Sequence, residues 1–218
     1  MSQERGYARP RARIETLVDL IFGLSLSISA VALITASPPL STSDIDGRIL
    51  AFVFTASFVI TAWMVYTYQM SVLPVETNFV IYLNVVMLIL IAIIPYLLYN
   101  VEFANSTLSV EESSMIRSYA SGLFAIDLTA ILTILATFSH VISIEEKQLV
   151  APELARTFRR NRNVQAILAL ITLSSLAPIF WSLTLFAEPV RLYIWIIPVI
   201  VYWARRSRQF RPSPSQTV

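Results

Sequence analysis

The sequence predicts an all-α integral membrane protein with six transmembrane helices. The first observation is the composition: 56% of the 218 residues are hydrophobic and only 14% are charged, and the mean hydropathy is +0.67. A soluble domain of this length is far less apolar. The second observation is a series of six apolar windows of about the length of a bilayer span. The third is an asymmetric distribution of basic residues, which predicts the orientation of the helices.

The six windows predict a single transmembrane domain over residues 1–218, with a basic tail at 205–218. A span requires roughly 20 mostly apolar residues, and the sixth window is short by this measure. The first window is as long as a full span and lacks a small-residue cleavage site, so we expect no cleavable signal peptide. The windows are 14–36, 49–70, 79–101, 119–140, 164–186 and 192–204.

The basic residues predict that both termini are cytoplasmic. All but three of the 16 Lys and Arg residues lie before the first window, between the fourth and fifth, or after the sixth. The exceptions are Arg48, Arg117 and Arg191. Basic residues favour the cytoplasmic side of a membrane, and an even number of spans returns the chain to that side. We therefore expect a multi-pass protein of the cell membrane, specifically of a prokaryotic plasma membrane.

The composition also excludes several kinds of chemistry. The chain has no cysteine, one histidine and four glycines, so it supplies no disulfide, no thiolate nucleophile and no glycine-rich phosphate loop. We expect no cofactor, no resident metal ion and no nucleic-acid partner, and we do not expect an enzyme. An intramembrane hydrolase that pairs a serine with His140 is a weak alternative, because no nucleophile elbow or zinc motif accompanies that histidine.

Polar residues near the start of the first window predict a network between helices. An ionisable group in the bilayer costs about 3 kcal/mol or more unless it is paired or hydrated. In the stretch RIETLVD, Arg13 and Asp19 are six residues apart, which places them about 120° apart and about 9 Å along the axis, so they do not pair. We expect partners on the next two helices, namely Trp63, Tyr66 and Asn84. Alternatively, RIETLVD is only a positive-inside anchor with a capped helix start.

Asp127 is a second acidic residue at membrane depth, near the middle of the fourth window. It either hydrogen-bonds across helices or forms the proton or cation site of a secondary transporter. Such carriers are expected to show paired broken helices or an inverted repeat, and neither is apparent in this sequence.

The first window also carries an apolar stripe. Leu17, Leu24 and Val31 recur every seven residues, and Ile28 follows Leu24 by four, with Ser27 beside them. This spacing places them along one side of a helix. A stripe of this kind faces lipid, another helix or a pore, and periodicity alone does not distinguish these environments.

The stretch RIETLVD resembles the Arg-x-x-x-Phe-Ser-Asp signature of the transmembrane protein 175 family, the endolysosomal potassium channels and their single-repeat prokaryotic relatives. The likeness extends to WMVYTY late in the second span, to a third span with an early Asn and a late Pro, and to a basic fourth connection. Leu17 and Val18 stand where the family has Phe and Ser, and Tyr66 and Thr67 where it usually has histidines, so the chain looks like a divergent member.

The resemblance implies a homotetramer in the lipid bilayer, with a central pore lined by the first helix and permeable to potassium ions. It implies a hydrophobic constriction at Leu24 and further pore-lining positions at Ser27, Ile28 and Val31, the stripe already described. K⁺ then binds only transiently as it permeates. The alternatives that stay open are a proton- or cation-coupled secondary transporter using Asp127 and a non-conducting divergent relative.

Overall fold

The computed structural model describes residues 8–35, 41–73, 77–102, 109–144, 150–185 and 188–209. Within these ranges the chain is helical apart from one small antiparallel hairpin, which confirms the all-α class. The elements are α1 (Ala8–Thr35), α2 (Thr42–Val72), α3 (Asn78–Glu102), α4 (Val110–Ser143), α5 (Pro152–Ser174), α6 (Ile179–Ser182), β1 (Thr184–Leu185), β2 (Glu188–Pro189) and α7 (Val190–Gln209).

Four helices of the described chain, α1 to α4, are long and apolar enough to cross a membrane. They correspond to the first four predicted windows. The two long helices that follow, α5 and α7, do not reach this criterion. The first half of α5 carries four arginines, and α7 has arginines at both ends, so neither offers an uninterrupted apolar segment of bilayer length.

The fifth predicted window, 164–186, differs from the helices that form there. α5 begins earlier, at Pro152, and ends at Ser174 within the window. Pro152 suits the first turn of a helix because its missing N–H needs no partner there. Near the other end, Pro178 has no N–H to continue the helix, and the chain turns at Ser175 before the short α6 and the hairpin. High average hydropathy concealed this interruption.

Local capping fixes the starts of α2 and α4. Ser41 accepts a hydrogen bond from the backbone N–H of Asp44 at the start of α2. At the start of α4, Ser109 and Glu112 form a reciprocal capping box, which satisfies backbone N–H groups that have no partner in the helix.

Helix α4 lies at the centre of the packing. It contacts α5 and α3 most extensively and also α2, whereas α1 packs on α3 and α2. Its Phe124 is fully buried between two aromatic rings in edge-to-face geometry, Phe58 of α2 at 5.4 Å and Trp195 of α7 at 4.6 Å between ring centroids. This ring contact ties α2, α4 and α7 together.

Candidate functional site

One side of α1 is left uncovered by the rest of the described chain. Leu24, Ile28 and Val31 keep 51%, 45% and 52% of their surface exposed, and Leu17 keeps 47%. Ser27 is exposed on the same side, and its hydroxyl donates to the carbonyl of Gly23 at 2.9 Å. The structure therefore places the predicted stripe on the free side of the helix.

The opposite side of α1 is held firmly within the chain. Val18, Phe22 and Ser25 are almost fully buried. The Ser25 hydroxyl lies 2.9 Å from the carbonyl of Ile21 in its own helix and 3.2 Å from the carbonyl of Ile91 in α3, so its single proton is shared between the two acceptors. One helix thus has a packed side that fixes its position and an apolar side that the chain leaves open.

The structure brings together two residues of the predicted polar network. The indole Nε1 of Trp63 in α2 donates to Oδ1 of Asp19 in α1 at 2.9 Å. The residues are 44 positions apart and meet because α1 and α2 run in opposite directions. A hydrogen bond to a carboxylate is among the stronger kinds. It links the two helices, and Trp63 itself remains 38% exposed.

Two further residues of the predicted network are buried in the neighbouring helices. Tyr66 is buried against the rings of Phe22 and Phe138, with centroids 6.3 and 6.2 Å away. Asn84 is buried in α3, and its Oδ1 has no hydrogen-bond partner among the described residues. Arg13 belongs to α1, but its side chain lies outside the described part of the structure.

Asp127 is buried in α4, with 5% of its surface exposed. Its Oδ2 has no hydrogen-bond partner in the part of the chain that the structure describes. The described residues also contain no group of three or more His, Cys, Asp or Glu side chains that could hold a metal ion. A lone buried carboxylate does not form such a group.

Sequence reasoning missed a buried arginine that joins α5 to α7. In the sequence, Arg191 is notable only as one of three basic residues outside the predicted cytoplasmic segments. In the structure it is 5% exposed, and its Nε donates to the carbonyl of Ser175 at 2.7 Å. Its other nitrogens donate to the carbonyl of Leu176 at 3.3 Å and to the hydroxyl of Ser121 at 2.8 Å, and its guanidinium lies over the ring of Trp181. A cation beside the last carbonyls of a helix stabilises that end.

Trp195 reinforces the same junction. The clustering of aromatic residues in the last window suggests an interfacial anchor, but Trp195 is fully buried. Its Nε1 donates to the hydroxyl of Ser175 at 3.1 Å, and its ring packs on Phe124. Its position beside Arg191, four residues away on one side of a helix, was the signal available in the sequence.

Comparison with known proteins identifies one solved structure of the same architecture. No protein-family model matches the sequence, and no curated protein does. The solved structure is that of a lysosomal potassium-selective channel TMEM175 homolog from Chamaesiphon minutus, with a TM-score of 0.61 and 12% sequence identity. The match covers 90% of this chain and 98% of that one. The two chains share a fold. The sequence resemblance that rested on RIETLVD thus points to a protein of the same architecture, and the low identity fits a divergent sequence.

Proposed function

We propose that the chain forms a homotetrameric cation channel that conducts potassium ions through a central pore lined by α1. The observation that carries the proposal is the uncovered apolar stripe on α1, a helix whose other side is packed within its own chain. The shared fold with a potassium-selective channel homologue supports it. Four copies around an axis cover the four stripes by turning them toward a common centre.

In this proposal Leu24 forms the constriction. Four leucine side chains at one level make an apolar neck that excludes a continuous column of water when it is narrow. Ile28 and Val31 form further apolar rings along the same path. Ser27 supplies oxygen to the passing ion, because its proton is already donated to the Gly23 carbonyl and its lone pairs remain available.

Asp19 has a supporting role in the proposal. Its bond to Trp63 fixes α1 against α2. We propose that Arg13, Tyr66 and Asn84 complete this support as the polar network inferred from the sequence, and that none of these residues touches the ion.

We also propose the predicted topology for the whole chain. The last two crossings are assigned to the apolar second half of α5 with α6, and to α7. Both termini then lie in the cytoplasm of a cell whose plasma membrane holds the channel. The basic first turns of α5 and the arginines at the end of α7 fall on the cytoplasmic side in this arrangement, as basic residues favour.

Reconstitution in liposomes with an outward potassium gradient tests the proposal. We expect the wild type to pass K⁺, and we expect Leu24→Ala to raise the flux about tenfold, equivalent to a barrier lower by about 1.4 kcal/mol. The matched control is Ile89→Ala on α3, whose side chain is 55% exposed and lies off α1, and its flux should equal that of the wild type. Asp127→Asn should also conduct.

Three results would contradict the proposal. An impermeable wild type would indicate a non-conducting relative. A saturating flux that depends on Asp127 and ignores Leu24 would indicate a secondary transporter. A monomeric mass in detergent would exclude a central pore between copies of the chain.

A further inference from the structure

A cavity of about 370 Å³ lies between α2, α4, α5 and α7. No residue of α1 lines it. This volume falls within the range of small-ligand sites. Its inner wall is apolar and buried, and includes Phe58, Leu132, Leu168 and Val199. The proposed pore does not use this space.

The cavity extends along α2 from Phe58 to Gln69. These residues are 11 positions apart, which corresponds to about 16 Å along a helix. The hydrocarbon of one bilayer leaflet is about 15 Å deep, half of the full apolar thickness. The cavity therefore has about the length of one leaflet and runs along α2, a helix long and apolar enough to cross a membrane.

The end of the cavity near the helix C-termini of α2 and α7 is half-exposed and basic. Arg205 and Arg206 line it. Arg205 donates to the amide oxygen of Asn161 at 2.9 Å, and Arg206 donates to the hydroxyl of Tyr202 at 2.9 Å. The acceptor of Arg205 is neutral. Burial lowers the pKa of the Arg205 guanidinium, and the nearby positive charge of Arg160 lowers it further. An anion at this end would relieve both effects.

Two buried polar atoms on the cavity wall also have no partner among the described residues. They are Oε1 of Gln69, a residue with 1% of its surface exposed, and Oγ1 of Thr61. The amide nitrogen of Gln69 is used, since it donates to the carbonyl of Leu135 and to the hydroxyl of Ser139. The amide is thereby held with its oxygen free to accept. A buried acceptor left unpaired is costly, so an occupant with a hydroxyl donor suits this site.

We propose that the cavity binds an anionic phospholipid, with one acyl chain in its apolar depth and the phosphate at Arg205 and Arg206. Guanidinium groups bind phosphate through paired hydrogen bonds, and basic pockets between transmembrane helices hold anionic headgroups. A hydroxyl of the headgroup donates to Gln69 Oε1. This inference rests on α2, α4, α5 and α7 and is independent of whether α1 lines a pore.

Lipid retention measured by native mass spectrometry tests the site. The intact chain is mixed with dioleoylphosphatidylglycerol or with dioleoylphosphatidylcholine, which has the same acyl chains and no net charge. We expect the wild type to bind the phosphatidylglycerol more tightly than the phosphatidylcholine. We expect the double variant Arg205→Gln, Arg206→Gln to lose that preference, with a fall in affinity for phosphatidylglycerol of about tenfold per arginine. Arg156→Gln, which removes an exposed arginine of α5 outside the cavity, should bind as the wild type does.

A second pair of variants separates the cavity from its mouth. Val164→Trp fills the cavity while leaving both arginines in place, and should abolish retention of phosphatidylglycerol. Ile171→Trp makes the same change at a half-buried position of α5 outside the cavity, and should retain it.

Several outcomes overturn the proposal. Equal retention of the two lipids removes the role of the arginines. Equal retention by Val164→Trp and Ile171→Trp shows that the lipid lies only on the outer surface. Retention of oleate that phosphatidylglycerol does not compete for assigns the cavity to a fatty acid. A wild-type protein that binds the lipid but passes no potassium would contradict only the channel proposal. The two proposals can therefore fail separately.

Discussion

Replacing Arg191 by methionine should destabilise the fold, because this arginine joins the end of α5 to the start of α7. Methionine keeps much of the side-chain length and none of the hydrogen-bond donors. The change leaves the carbonyl of Ser175, now bonded at 2.7 Å, without its buried donor, and it weakens the environment of the Leu176 carbonyl. The Ser121 hydroxyl keeps its bond to the carbonyl of Ser118, so losing the hydrogen bond from Arg191 costs little there.

The size of the effect follows from these contacts. One buried carbonyl left unpaired costs about 1–3 kcal/mol, and loss of the contact over the Trp181 ring, at 5.3 Å from its centroid, costs about 0.5–1 kcal/mol. Methionine recovers part of this by removing the need to desolvate a guanidinium. We therefore expect Arg191→Met to lower the free energy of unfolding by about 2–3 kcal/mol. Arg191→Lys retains one donor group and should lose about half as much.

Equilibrium unfolding in detergent micelles, followed by tryptophan fluorescence, measures the change. Arg156→Gln is the matched control, because it removes an exposed arginine from α5, the helix whose end Arg191 contacts, and should change stability by less than about 0.5 kcal/mol. A loss of under about 1 kcal/mol for Arg191→Met, or equal losses for the two variants, would refute the role assigned to Arg191.

Two further substitutions test the packing by the same unfolding measurement. Trp63→Phe removes the donor to Asp19 and keeps an aromatic ring, so we expect a loss of about 1 kcal/mol; wild-type stability would show that this bond contributes nothing. Phe124→Ala removes a fully buried ring from its contacts with two aromatic neighbours, and we expect a loss of about 3–5 kcal/mol. Ile126→Ala, at an exposed position of the same helix, should lose less than about 0.5 kcal/mol, and equal losses would contradict the central position of Phe124.

The sequence predicted the first four helices well because each is a long apolar segment bounded by polar residues. It predicted the last third less well. A hydropathy window averages over its residues. It therefore did not detect that the helix in the fifth window ends before Pro178, nor that this helix begins at Pro152 and includes several arginines. The start of α5 is stabilised by packing, since Ala155 and Phe158 are buried among its basic residues.

The candidate site was predictable to the extent that it depends on one helix. The stripe of Leu24, Ile28 and Val31 follows from periodicity, and the charge of Asp19 at membrane depth indicated a partner on a neighbouring helix. Contacts between distant segments were not predictable in this way. Arg191 meets Ser121 across 70 positions, and Gln69 meets Ser139 across the same separation, so both depend on how the helices assemble.

The two sides of α1 are under separate constraints. Phe22 and Ser25 fix the helix in its own chain, whereas Leu24 and Ile28 stay about half exposed beside the described residues. Side-chain volume at positions 24 and 28 is thus adjustable without repacking the protomer. In the proposed channel, a series of substitutions at those two positions would compare pores of graded width on one unchanged scaffold.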